Sequence, residues 1–113
     1  MNHKSLSLET RPFNARCYAL LLEIPNGKVT TYAEMARALG TRAYRAVGQA
    51  MHRNPDAPKV PCHRVIRSDG SLGGYAGGVA KKASLLMAEG IPIRDGAVTN
   101  LPDFLYTFSR SDK

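Results

Sequence analysis

A chain of 113 residues has room for one domain, and its 43% hydrophobic content suits an ordinary soluble core. The longest apolar run, Ala19 to Leu22, stops at Glu23, far short of the roughly 20 residues of a membrane-spanning helix, so no membrane partner is expected. Sixteen Lys and Arg against nine Asp and Glu give a net charge of +7. A small domain this basic tends to meet polyanions, nucleic acid first among them; a plain solubility surplus is the bland alternative.

Met1 to Thr10 has no apolar centre, so no secretory signal is expected. The expected location is a reducing cell interior: cytoplasm, or nucleus in a eukaryote. Asn14 to Ile24 has Cys17, Leu20, Leu21 and Ile24 at helical intervals, and Pro25-Asn26-Gly27 stops that helix. A very short strand is expected within Lys28 to Thr30. Thr31 and Glu34 form a capping box opening a helix over Tyr32 to Leu39, and Gly40 ends it. Thr41 then caps a second helix from Arg42 to about Arg53. Ala43, Val47 and Ala50 share its inner face, and Arg42, Arg45, Gln49, His52 and Arg53 its basic one. Helix, glycine turn and basic helix make a helix-turn-helix, or else an αα-hairpin with a solvated basic side.

Three prolines restrain the Asn54 to Pro61 loop. Val65 and Ile66 read as a short strand, ended by the turn Ser68-Asp69-Gly70-Ser71. Four glycines bracket Tyr75 and Ala76. Val79 to Glu89 reads as the last long helix, with Val79, Ala83, Leu86 and Met87 inward and Gly90 as its stop. Ile91 to Phe108 is irregular with two short strands, and Ser109 to Lys113 is frayed. The fold class is mainly α with short β elements, one domain over 1–113 with an ordered core of about 13–108.

The segment Val60-Pro61-Cys62-His63-Arg64-Val65 sets a thiol, an imidazole and a guanidinium side by side. Only the thiolate is a good nucleophile, and a neighbouring base raises its population. Adjacency in sequence does not prove a Cys–His contact. Cys17, inside an apolar helical stripe, reads as a buried structural thiol. Both cysteines are expected to be free, since a lone disulfide is uncommon in a reducing compartment, and no zinc site is expected, since no Cys-x-x-Cys or His-x-x-x-His spacing occurs.

Pro61-Cys62-His63-Arg64-Val65 resembles the active-site motif of the O6-alkylguanine-DNA alkyltransferases. Other segments match that family in order: Gly27 to Tyr32, Arg45 to Met51, Asn54-Pro55, Gly74 to Gly78, and Glu89-Gly90, so that the likeness covers approximately Phe13 to Ile93. It implies a winged-helix-like helix-turn-helix domain that docks its second helix in the minor groove of duplex DNA and rotates an O6-alkylguanine out of the stack.

The resemblance also implies roles. Cys62 is the nucleophile, His63 relays its proton through a water with Glu89 orienting it, Tyr32 donates to the base, and Asn54 orders the turn beside Cys62. Arg45 fills the gap left in the stack; Ala46, Gly48 and Ala50 let the helix approach. Gln49, Arg42 and Arg53 complete the DNA-binding set. Met51, Val65, Tyr75, Ala76 and Gly77 belong to the substrate pocket, with the Ala76 amide donating to O6. Arg64 serves structure. The alkyl group ends irreversibly on Cys62, so a single-use, monomeric transferase without cofactor is implied. The family's N-terminal domain is expected to be absent.

Three rivals stand beside this reading. Alkyltransferase-like proteins bind alkylated guanine without transfer and pass it to nucleotide excision repair, but typically carry tryptophan where this chain has Cys62. A helix-turn-helix transcription factor is indifferent to alkylation. A cysteine hydrolase needs an oxyanion hole that the sequence does not locate.

Overall fold

A computed structural model describes residues 12–108; the expectations for Met1 to Thr10 and for a frayed Ser109 to Lys113 fall outside the described residues. The elements are α1 (Phe13–Leu21), β1 (Thr30–Thr31), α2 (Tyr32–Leu39), α3 (Tyr44–His52), a 3-10 turn (Cys62–Arg64), β2 (Val65–Ile66), α4 (Val79–Ala88), β3 (Ile93–Arg94), β4 (Ala97–Val98) and α5 (Leu101–Phe104). The chain is mainly helical with short strands, as expected.

Cys17, Leu20 and Leu21 are the buried stripe of α1, and Ile24 is buried just beyond its end. The helix stops at Leu21, three residues before the expected end. Pro25 is the reason: the residue before a proline is pushed out of the helical region. Thr31 caps α2, its hydroxyl accepting from the Glu34 amide at 3.0 Å. Only half of the capping box forms, because the Glu34 carboxylate instead accepts from Arg37 and from the Phe108 amide. Gly40 closes α2 with a left-handed φ of 72°, and the Gly40 and Thr41 amides satisfy the Arg37 and Ala36 carbonyls.

The second helix of the pair starts later than expected. Thr41 Oγ1 accepts from the Ala43 amide at 3.1 Å, a local turn that keeps Arg42 and Ala43 outside the helix. Ala43 is therefore exposed, and the inner face of α3 is Val47, Ala50 and Met51. The α4 register also departs from expectation. Val79 and Met87 are each 54% exposed, whereas Lys82 is fully buried beside Leu86. A polarity pattern counts a lysine as solvent-facing; here backbone carbonyls satisfy it instead.

β1 pairs with β2 in parallel, Thr30 opposite Val65 and Thr31 opposite Ile66. Because β1 runs directly into Tyr32 and β2 leaves directly from Arg64, this pairing brings the start of α2 beside the Cys62 turn. The two expected C-terminal strands are β3 and β4, an antiparallel hairpin turned by Asp95 and Gly96, both with positive φ. The single-turn α5 had no periodic signal. Beyond it, the tail is tied to the first strand: the Tyr106 amide donates to the Val29 carbonyl and Thr30 Oγ1 to the Tyr106 carbonyl. One apolar cluster lies among α1, α2, α3 and the Cys62 turn; the second groups Val29, Ile66, Leu72, Leu86, Ile91 and Val98.

Candidate active site and nucleic-acid interface

Cys62 is only 4% exposed, yet it opens onto a cavity of about 190 Å³ lined by Tyr32, Gly48, Met51, His52, Cys62, Gly74, Tyr75 and Ala76. That space holds several waters, at about 30 Å³ each, and is below the roughly 300–1,000 Å³ of pockets for drug-sized ligands. It suits one flat ring system. Burial, with charge on Cys62 adding to it, raises the Tyr32 pKa, so its phenol stays a hydrogen donor. The Tyr32 hydroxyl approaches Gly73 so closely that a Cβ there would lie 3.3 Å from it, and Gly73 has φ +74°. Only glycine meets both demands.

The turn carrying Cys62 is held from behind. Asn54 Nδ2 donates to the Val60 carbonyl at 2.6 Å, and that carbonyl also accepts from the Cys62 amide. Cys62 and His63 sit on a 3-10 turn rather than a strand, and both are buried. His63 Nε2 lies 2.8 Å from Glu89 Oε2; a carboxylate only accepts, so that nitrogen carries the proton. Arg64 donates to both Glu89 oxygens and, through Nη1, to the Ile24 carbonyl. Burial would raise the Glu89 pKa, but the hydrogen bonds from Arg64 and His63 outweigh it and leave a firm carboxylate. Burial lowers the His63 pKa more than Glu89 raises it. The result is a neutral imidazole whose other nitrogen, Nδ1, is buried without a hydrogen-bond partner among the described residues.

The five residues implied as catalytic thus form two joined groups: Tyr32 and Cys62 at the cavity, and His63, Glu89 and Asn54 around the turn. Met51, Tyr75 and Ala76 line the cavity as implied. Val65 does not; it is fully buried in the β1–β2 pairing. Gly77 does not either, but a Cβ there would meet the Tyr75 ring at 3.1 Å, so it seats Tyr75. His52 and Gly74 are lining residues the sequence reading left out of the pocket.

Arg45, Gln49, His52 and Arg53 are exposed along α3 and its end, with Arg42 exposed just before the helix. Tyr44, Arg45 and Arg67 share a second, open cavity with Tyr32, Gly48 and Gly74, and Arg67 is another residue the sequence reading passed over. Gly48 is inside the helix at a cost of about 1 kcal/mol relative to alanine, although a Cβ there meets nothing within 4 Å. No internal packing among the described residues demands this glycine. Burial pushes the Cys17 thiol up to about 11, and neither cysteine is in a disulfide.

A family model described as the DNA-binding domain of 6-O-methylguanine DNA methyltransferase matches residues 12–91. The chain is 51% identical over 85 residues to a methylated-DNA–protein-cysteine methyltransferase of Methanosarcina barkeri, covering 74% of this chain and 54% of that protein. It is 49% identical over 82 residues to a bifunctional methyltransferase/endonuclease of Picrophilus torridus, covering 72% and 28%. The chain spans about half the length, or less, of these curated relatives. Among solved structures, S. pombe Atl1 in complex with damaged DNA containing O6-carboxymethylguanine superposes with a TM-score of 0.74 at 37% identity, over 84% of this chain and 94% of that one. Mycobacterium tuberculosis OGT in complex with DNA gives 0.68 at 46% identity, over 71% and 49%.

Proposed function

Since the chain belongs to the 6-O-methylguanine DNA methyltransferase family, a family of DNA-repair proteins, we propose that it takes an O6-alkylguanine from duplex DNA into the cavity and transfers the alkyl group to Cys62. The observation that carries this reading is the pairing of two things at one place. Cys62 opens onto a ring-sized cavity beside a protonated phenol, and the adjacent His63 is a neutral, carboxylate-oriented base with Nδ1 unpartnered.

The target base must leave the stack, because its O6 is out of reach of a protein thiol in the duplex. The exposed cations of α3 hold the phosphates, Gly48 and Ala46 admit the backbone, and Arg45 fills the gap. In the cavity Met51 and Tyr75 flank the ring and the Ala76 amide faces O6. The Cys62 proton passes through a water to His63 Nδ1, and Glu89 stabilises the imidazolium so formed. The sulfur lone pair forms a bond to the alkyl carbon as the carbon–O6 bond breaks. Its electrons go to guanine, whose developing charge Tyr32 meets with a hydrogen bond from its phenol, and the proton taken up by His63 returns through solvent to neutralise the released base. The thioether on Cys62 has no route back, so each molecule acts once.

A second reading, lesion binding without transfer, is favoured by the Atl1 superposition, which takes in 94% of that chain. Intact-protein mass after incubation with a duplex containing O6-methylguanine separates the two. A gain of about 14 Da mapped to Cys62 is expected for transfer to a cysteine nucleophile. Tight, lesion-selective binding with no mass gain would make the chain a sensor, and neither result would return it to general DNA binding.

A further inference from the structure

Lys82 takes no part in that chemistry, yet among the described residues it is the only Lys, Arg, Asp or Glu that is buried. Its three ammonium donors are all used on backbone carbonyls: Val65 at 2.7 Å, Gly74 at 3.1 Å, and Leu72. Its Nζ also lies 5.8 Å from the centre of the Tyr32 ring, within cation–π reach. Among the described residues no carboxylate compensates the charge in this cage. A methionine of similar length would fill the space without the cost of burying a cation, so packing alone does not explain a lysine here.

The identity of the three carbonyls does. Val65 follows the Cys62 turn directly, whereas Leu72 and Gly74 lie at the root of the loop that carries Tyr75 and Ala76 over the cavity. We propose that Lys82 is a positioning residue: its ammonium ties the substrate loop to the strand leaving the nucleophile, and so sets the gap between the Ala76 amide and Cys62. The inference rests on the transfer reading of this site.

The cage is also sensitive to pH. Burial pulls Lys82 down to about 8, opposed by charge on Cys62 and assisted by Arg67. The groups facing it are Cys62 and His63 on the turn, Tyr32 on α2 and Arg67 after β2. Loss of its proton removes one of three donors and the charge that holds the carbonyls.

Lys82→Met tests this, measured as single-turnover transfer to an O6-methylguanine duplex and as hydrogen exchange over residues 72–78. A misplaced reacting group costs on the order of 100-fold in rate, so a maximal-rate loss of about that size is expected. The half-saturating DNA concentration should hardly move, since α3 is untouched, and exchange in the loop should rise while α1 to α3 stay protected. A maximal rate within about threefold of wild type, or a loss of rate without faster loop exchange, would overturn the proposal. If Lys82→Met does not fold, wild type and Lys82→Arg decide it: after correction for intrinsic exchange, opening of the loop should increase above pH 8 in wild type and not in the arginine variant. Equal pH responses reject it. A wild-type protein that never gains mass refutes the transfer reading separately, while loop exchange still decides whether Lys82 is the tie.

Discussion

The outer face of α3 and the ground beneath Cys62 are both rich in charge, and they hold it in opposite ways. Arg45, Gln49, His52 and Arg53 face solvent, where a cation acts mainly through its share of the total field and is screened by salt. Under Cys62, the side chains of His63, Arg64 and Glu89 are 3%, 15% and 10% exposed, each with named partners, and Lys82 is buried outright. There a charge acts by its position, and removing one partner strands another. Surface charges are additive and individually replaceable; the buried ones are not.

The two cysteines break that contrast most sharply. Cys62→Ala is expected to abolish transfer, with lesion affinity retained within about threefold, because the DNA-facing helix keeps its cations. Cys17→Ala, which removes a thiol that burial keeps protonated, should leave transfer intact. Mass gain and a gel-shift assay read both; transfer by Cys62→Ala would dismiss the nucleophile assignment. Next in size is Glu89→Gln. It leaves Arg64 and His63 facing a neutral amide, so denaturant unfolding should show a loss of about 3–5 kcal/mol, the range for breaking a buried ion pair, together with slower transfer. A variant as stable as wild type would mean the network is solvated after all.

Much of this was legible because local rules and tertiary demands agreed. Thr31, Gly40 and Gly90 punctuate helices by their own chemistry, and the α1 stripe has clean periodicity. Where they disagreed, the sequence misled. Pro25 shortened α1, and Thr41 made a turn rather than a helix cap. Ala83 and Leu86 face inward as expected, but Lys82 joins them in place of Val79 and Met87, because nothing local announces that three distant carbonyls await an ammonium. At the site, the motif residues were readable as types in order, but their geometry was not. The 3-10 turn that presents Cys62, the Arg64 link to Ile24, and the lining roles of His52 and Gly74 all arise from long-range contacts. Val65, implied as pocket wall by the family likeness, is instead buried in the pairing with β1.

A smaller effect tests the buried side by acid. The His63 pKa is lowered by burial, so below about 6.5 the unfolded chain takes a proton that the native one resists. Stability then falls as pH drops, by at most about 1.4 kcal/mol per pH unit for one group. Glu89, also lowered, adds a loss in the same direction as pH falls below the ordinary carboxylate range. Urea midpoints should therefore decline from pH 7.5 to 5.5 and more steeply beyond. His63→Gln should flatten the upper part of that decline; an unchanged slope in this variant would place the titration elsewhere.

The smallest effects belong to the exposed side, where they separate a wedge from an ordinary cation. Arg53→Ala removes one phosphate partner, so it should weaken damaged and undamaged duplexes alike and reduce the slope of log affinity against log salt by about 1. Arg45→Ala should cost the lesion duplex more than the undamaged one, because an emptied gap in the stack lets the flipped base return. A tenfold selective loss corresponds to about 1.4 kcal/mol. Equal losses in both duplexes would make Arg45 one more surface charge. The basic face of α3 would then be uniform, and the energy for holding the base out of the stack would have to come from the cavity itself.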